Sequence, residues 1–149
     1  MASTFISLLV HLVFSSKERV PWLRPPVCQR LYPYLIATAQ SEGVQTLAVA
    51  GTEDHVHSLL SLTATVATAD LVRTMKANSS RWIHDTFPGM RGFGWQDGYA
   101  ALSIGYRDTD AVVRYIRGQQ AHHRRVPFRE ELVALLEENG IPFNEAYLL

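Results

Sequence analysis

The sequence predicts an α+β chain whose strands and helices run in the order β-α-β-β-α-β, with further helices at the C-terminal end. Three observations predict it. Apolar residues alternate with a period of two in four short runs, they recur at helical spacing in two longer ones, and Gly- or Pro-bearing turns separate the runs. The 149 residues are 47% hydrophobic and include three Trp, six Tyr and six Phe, enough for one core, so 1–149 reads as a single domain.

Strand one spans Phe5 to Phe14, where Ile6, Leu8, Val10, Leu12 and Phe14 alternate with Ser7, Leu9, His11 and Val13. One face is then wholly apolar and the other mixed. Pro21, Pro25 and Pro26 punctuate a loop, after which Val27, Leu31, Tyr34, Leu35 and Thr38 recur at helical spacing until Gly43, a helix stop. Val44 to Ala50 and His55 to Leu62 read as a hairpin closed by Gly51-Thr52-Glu53-Asp54. On its second strand Val56, Leu60 and Leu62 point one way, and His55, His57 and Leu59 the other.

Ala69 to Phe87 reads as helix two, with Leu71, Met75, Trp82 and Ile83 inward and Pro88-Gly89 as its end. An Asp97-Gly98 turn leads into strand four, Tyr99 to Tyr106. Asp108 or Thr109 caps a third helix from Asp110 to about Arg124, and Pro127 starts a last one that runs to Glu138 before Asn139-Gly140. This order matches a ferredoxin-like (RRM-like) layer: a four-stranded antiparallel sheet, helices on one face, extra C-terminal helices, and the other face open for a site.

Cys28 is the only cysteine, which excludes an intramolecular disulfide and a four-thiolate zinc site and fits a reducing cytoplasm. The longest apolar run, Phe5 to Phe14, is interrupted by Ser7 and His11 and falls short of the roughly 20 residues a bilayer span needs, so no membrane partner is expected. It also lacks the flanks of a signal peptide. Fourteen basic and fourteen acidic residues give a net charge of zero, which argues against a phosphate-rich partner. Their distribution softens that argument: Arg107, Arg114, Arg117, Arg124, Arg125 and Arg129 cluster with His122 and His123, ahead of an acidic tail.

The His55-Val56-His57 triplet projects two imidazoles from one side of a strand about 7 Å apart, a spacing that suits two ligands on one metal. A solvated pair of strand histidines fits the same short pattern. On the third helix Val112, Tyr115, Ile116 and Gln119 share one stripe, so Tyr115 and Gln119 are neighbours. Tyr115 alone reads as a core aromatic, but an amide on an apolar stripe needs hydrogen-bond partners or a metal. His122 and His123 either cap the helix end or meet phosphates, and Asp54 either orients an imidazole or simply shapes its turn. Lys17, Arg19, Arg24, Arg73, Lys76 and Arg81 are cations able to touch a nucleic-acid backbone, though scattered surface charge looks the same.

Five stretches in order resemble one family. They are His11-Leu-Val-Phe-Ser-Ser-Lys17, Asp54-His-Val-His57, Lys76-Ala-Asn-Ser-Ser-Arg-Trp-Ile83, Trp95-Gln-Asp-Gly-Tyr99, and Tyr115-Ile-Arg-Gly-Gln119 followed by His122-His123. Together they are similar to the single-tyrosine HUH transposases of insertion sequences, including the relatives associated with repetitive extragenic palindromes. The tail, from Phe128-Arg-Glu-Glu131 through Gly140-Ile141 to Tyr147-Leu148, also resembles that family's ending. Any one piece is weak, whereas their joint spacing is specific. The resemblance implies that Tyr115 is the nucleophile and that His55, His57 and Gln119 hold Mg²⁺ or Mn²⁺. It further implies cutting and rejoining of single-stranded, hairpin-bearing DNA through a 5′-phosphotyrosine, in a homodimer whose tyrosine helix can act on the partner's His pair. Lys17, Arg19, Lys76, Arg81, Arg117, His122, His123 and Arg124 are the candidate DNA contacts. Gly118 departs from the pattern, standing where the family tends to carry Asn, at a cost of about 1 kcal/mol of helix propensity relative to Ala. Two alternatives remain: a domesticated relative that processes chromosomal palindromes, and a non-catalytic RRM-like module, which needs aromatic residues on the open sheet face.

Overall fold

The structure is a computed structural model and describes residues 3–148. Strand β1 (Leu9–Ser15) is followed by helix α1 (Val27–Ser41), strands β2 (Gln45–Gly51) and β3 (His55–Ser61), helix α2 (Thr68–Thr86) and strand β4 (Ala100–Ile104). Helices α3 (Thr109–Arg117), α4 (Gln119–His123) and α5 (Phe128–Glu138) complete the chain. The sheet order is β2-β3-β1-β4 with every neighbouring pair antiparallel, which is the ferredoxin-like arrangement predicted.

Strand alternation decides what each sheet face carries. Leu12 and Phe14 of β1 and Val56 and Leu60 of β3 pack against Leu31 and Leu35 of α1 and Leu71, Met75 and Ile83 of α2. This is the main core. Each of these side chains is almost fully buried, and each contributes roughly 1.5–3 kcal/mol of transfer free energy. A hydrogen bond from Trp95 Nε1 to Ser79 Oγ, at 2.9 Å, ties the segment after α2 to the same layer.

The opposite face departs from the expectation of an open surface. The C-terminal helices lie over it: Ile116 packs with Leu9, Ala48 and Leu59, while Phe128, Leu132 and Leu136 pack with Val13 and Ala100. His55 and His57 are consequently fully buried rather than exposed on the sheet. The reason is compositional, because Leu9, Val13 and Leu59 make that face half apolar and it needs a cover of its own.

Three element boundaries also differ. Strand β1 begins at Leu9, leaving Phe5, Ile6 and Leu8 exposed ahead of it. Strand β4 stops at Ile104, because Tyr106–Asp108 turn into a short 3₁₀ segment. The third helix is interrupted at Gly118, whose φ of −90° and ψ of 11° separate α3 from α4. Gly is the interior residue that most weakly favours helix after Pro, so the break falls where propensity is lowest. Among the described residues no helix is long and apolar enough to cross a membrane.

Candidate active site and metal centre

Strand β3 delivers His55 and His57 to the face under α3, α4 and α5, with their rings 5.1 Å apart. The hairpin turn before β3 fixes where they start. A Cβ at Gly51 would overlap the backbone carbonyl of His55, so only glycine lets the two strands close this tightly. Thr52 N–H then donates to the His55 carbonyl at 3.1 Å.

Each imidazole is anchored through Nδ1, which turns its Nε2 inward. His55 Nδ1 donates to Asp54 Oδ1 at 2.8 Å, and Thr52 Oγ1 also donates to that carboxylate at 3.1 Å. Asp54 thus has the orienting role as well as its place in the turn. Burial alone would raise the Asp54 carboxyl, but the His55 hydrogen bond and charge outweigh it and hold it below its ordinary value. His57 Nδ1 meets Nε2 of His11, on β1, at 2.8 Å. Burial lowers His57, and burial together with the neighbouring His57 pushes His11 down to about 3, so this pair is held neutral.

Helices α3 and α4 bring the tyrosine and the amide. The predicted stripe holds despite the break at Gly118: Ile116 and Gln119 are buried, and Val112 and Tyr115 are half-buried on the same side. Gln119 Oε1 lies 3.1 Å from His55 Nε2. The Tyr115 ring stands edge-on to His57, with centroids 5.8 Å apart.

The centre of the cluster is a residue that sequence reasoning missed. Glu131, on α5, is 3% exposed. Its Oε1 accepts from Nε2 of His57 and of His123, each at 3.0 Å. Its Oε2 accepts from Gln119 Nε2 at 2.9 Å and from the Tyr115 hydroxyl. Burial alone would raise this carboxyl, but the bonds from His123 and His57 hold it far below the ordinary carboxylate range. His123 is held more basic than usual, because the bond and charge of Glu131 exceed the effect of its own burial. Burial, then the bond and charge of Glu131, push the Tyr115 phenol well above its ordinary value, so it rests protonated.

His55, His57, His123 and Glu131 each offer a ligand atom within 4.8 Å of the others, a group able to hold a metal ion. The hydrogen-bond pattern provides an independent test of fit. Asp54 takes the Nδ1 hydrogen of His55, and Glu131 takes the amide hydrogen of Gln119, so His55 Nε2 and Gln119 Oε1 face each other as electron-pair donors. A cation placed between them would meet both electron pairs. Imidazoles and a carboxylate are a donor set able to hold a divalent cation.

The proposed DNA contacts fall into groups. Arg19 and Arg124 line a cleft of about 430 Å³ beside the cluster, with Asp54, His123, Pro127 and Phe128. Arg19 lies 3.6 Å from Asp54 and 5.0 Å from the Phe128 ring, held there by left-handed backbone at Glu18 and Arg19 (φ 56° and 57°). Lys17 and Arg117 are exposed. His122 approaches Glu131 Oε2 at 3.3 Å. Lys76 and Arg81 lie on α2, across the sheet from this cluster, where the Lys76 ammonium donates to the carbonyls of Gln96 and Gly98 and Arg81 donates to Asn78.

Residues 4–119 match the family described as IS200-like transposases. The chain belongs to that family. The ISDra2 transposase TnpA of Deinococcus radiodurans is 28% identical over 114 residues, covering 73% of this chain and 81% of that protein. A solved Deinococcus radiodurans R1 chain described as a transposase is 26% identical, with a TM-score of 0.67 over 80% of this chain and 95% of its own. The structure of a REP-associated tyrosine transposase bound to a REP hairpin shares the fold, with a TM-score of 0.63 at 17% identity over 85% of this chain and 74% of that one. For this IS200-like chain the matched segment ends at Gln119, so His123 and Glu131 lie beyond it.

Proposed function

We propose that this transposase cleaves and rejoins single-stranded DNA at hairpin-bearing ends, with Tyr115 as nucleophile and a divalent Mg²⁺ or Mn²⁺ held by His55, His57 and Gln119. The observation that carries this reading is the convergence of the Tyr115 hydroxyl, both imidazole Nε2 atoms and the Gln119 amide on one buried spot. The neighbour bound to a REP hairpin supports the choice of substrate.

Resting Tyr115 is a phenol, and a phenol is a weak nucleophile until its proton leaves. In the proposed step the Tyr115 oxygen bonds to the scissile phosphorus while the bond from phosphorus to the 3′ oxygen breaks. The 3′ oxygen departs with a proton as a hydroxyl, and the 5′ phosphate stays on the tyrosine. Attack by a 3′-hydroxyl on the phosphotyrosine reverses the step and joins strands without ATP. A bound cation supplies charge neutralisation on the phosphate oxygens and fixes their orientation. Asp54 and His11 keep the two imidazoles aimed inward throughout.

A non-catalytic RRM-like module loses ground, because helices cover the sheet face that such a module uses for stacking. Domestication remains a question of biology rather than chemistry. Homodimerisation belongs to the same proposal, and in the single chain α3 packs on its own sheet. Incubation with single-stranded hairpin DNA and Mn²⁺ is expected to give a covalent adduct resistant to denaturant, absent after chelation. Retention of the adduct in Tyr115→Phe would overturn the assignment.

A further inference from the structure

We propose that Glu131 is a metal ligand: through Oε1 it adds a carboxylate, supplied by α5 beyond the matched residues 4–119, to the two imidazoles and the amide. This extends the reading of His55, His57 and Gln119 as ligands and depends on it.

The spacing of the donors carries the argument. Adjacent donors on an octahedral ion with bonds of about 2.1 Å stand about 3 Å apart. Glu131 Oε1 lies 3.0 Å from His57 Nε2 and 3.6 Å from His55 Nε2, and Gln119 Oε1 lies 3.1 Å from His55 Nε2. These edges fit one coordination sphere once the ion takes the place of the hydrogen that His57 Nε2 shares with Glu131 Oε1. The side chain is buried at 3% exposure with every one of its hydrogen-bond partners drawn from this cluster, so its carboxylate is dedicated to the site. On the apolar stripe of α5, between Phe128 and Leu132, a carboxylate is otherwise out of character.

Two consequences follow from the geometry. Four protein donors leave two of six octahedral positions free, enough for a phosphate oxygen and a water, whereas the same four donors fill a tetrahedral ion completely. The carboxylate also links the ion to the nucleophile, because Oε2 holds the Tyr115 hydroxyl while Oε1 faces the imidazoles. Glu131 thereby positions Tyr115 beside the ion.

The test is Mn²⁺ titration of the full chain without DNA, read by electron paramagnetic resonance for affinity and by water-proton relaxation for the number of metal-bound waters. Glu131→Gln keeps the side-chain shape and weakens Mn²⁺ binding about tenfold or more, the scale seen when groups supporting a metal site are removed. Glu131→Ala raises the count of bound waters by one. Melting in chelator identifies any variant that has not folded, and Glu131→Gln, close to isosteric, decides if the alanine does not fold. Wild-type affinity in Glu131→Gln together with an unchanged water count overturns the proposal. His57→Ala separates the two levels: loss of Mn²⁺ there with full retention in both Glu131 variants removes Glu131 alone, while equal binding by His57→Ala and wild type removes the metal reading itself.

Discussion

The two faces of one sheet carry opposite burdens. Beneath α1 and α2, β3 contributes Val56 and Leu60 to a layer of aliphatic and aromatic side chains. Beneath α3 to α5, the same strand contributes His55 and His57 to a buried polar network that takes in His11, Gln119, His123 and Glu131. A period-two strand lets a single seven-residue segment anchor the fold with one side and assemble chemistry with the other. The comparison shows that burial alone does not distinguish the two: His55, His57, Val56 and Leu60 are all at most 1% exposed. What differs is whether the buried atoms require partners.

If the division is right, substitutions should separate cleanly by face. The largest effect belongs to Tyr115→Phe, which is expected to reduce DNA adduct formation to background while changing stability by no more than about 1.5 kcal/mol, the range of one net hydrogen bond. Denaturation midpoints measured beside adduct yield check both halves. Leu60→Ala, on the opposite face, is expected to lose about 2–5 kcal/mol by denaturant unfolding, with Mn²⁺ affinity unchanged in the fraction that remains folded. Loss of Mn²⁺ binding there would break the comparison.

His57→Ala sharpens it, because the buried ring touches both His11 and Glu131. It should abolish Mn²⁺ binding and also cost about 1–3 kcal/mol, since two buried polar groups lose a partner. A solvated strand histidine would cost almost nothing. The smallest effect is acid sensitivity in chelator. The Glu131 carboxyl sits far below its ordinary 4.5 in the folded chain, so its contribution is present above that value and is lost as the pH falls below it. Stability against pH should therefore fall less steeply below about pH 4.5 in Glu131→Gln than in wild type.

Much of this was legible in the sequence. Alternation in β1 and β3, the helical stripes of α1 and α2, and the turn signals gave the element order, and the His55, His57, Tyr115 and Gln119 pattern located the cluster. Glu131 was not legible from its immediate neighbours, because Arg129-Glu130-Glu131 at a helix start reads as solvated charge favouring the dipole. A signal was present nonetheless. Phe128, Glu131, Leu132 and Leu136 fall at i, i+3, i+4 and i+8, so Glu131 lies on the buried stripe. His11 carried the same kind of signal as a polar residue placed between Leu9 and Val13 on one strand face. The cover over the histidines was missed for a different reason: which face the C-terminal helices choose depends on long-range packing that no local window contains.

The central claim is chemical, and peptide mapping tests it most directly. After reaction of the full chain with single-stranded hairpin DNA and Mn²⁺, nuclease trimming and proteolysis should leave a nucleotide attached through a 5′ phosphate to the peptide containing Tyr115. A nucleotide on any other side chain, or a cleaved strand with no protein-linked product, would contradict the account.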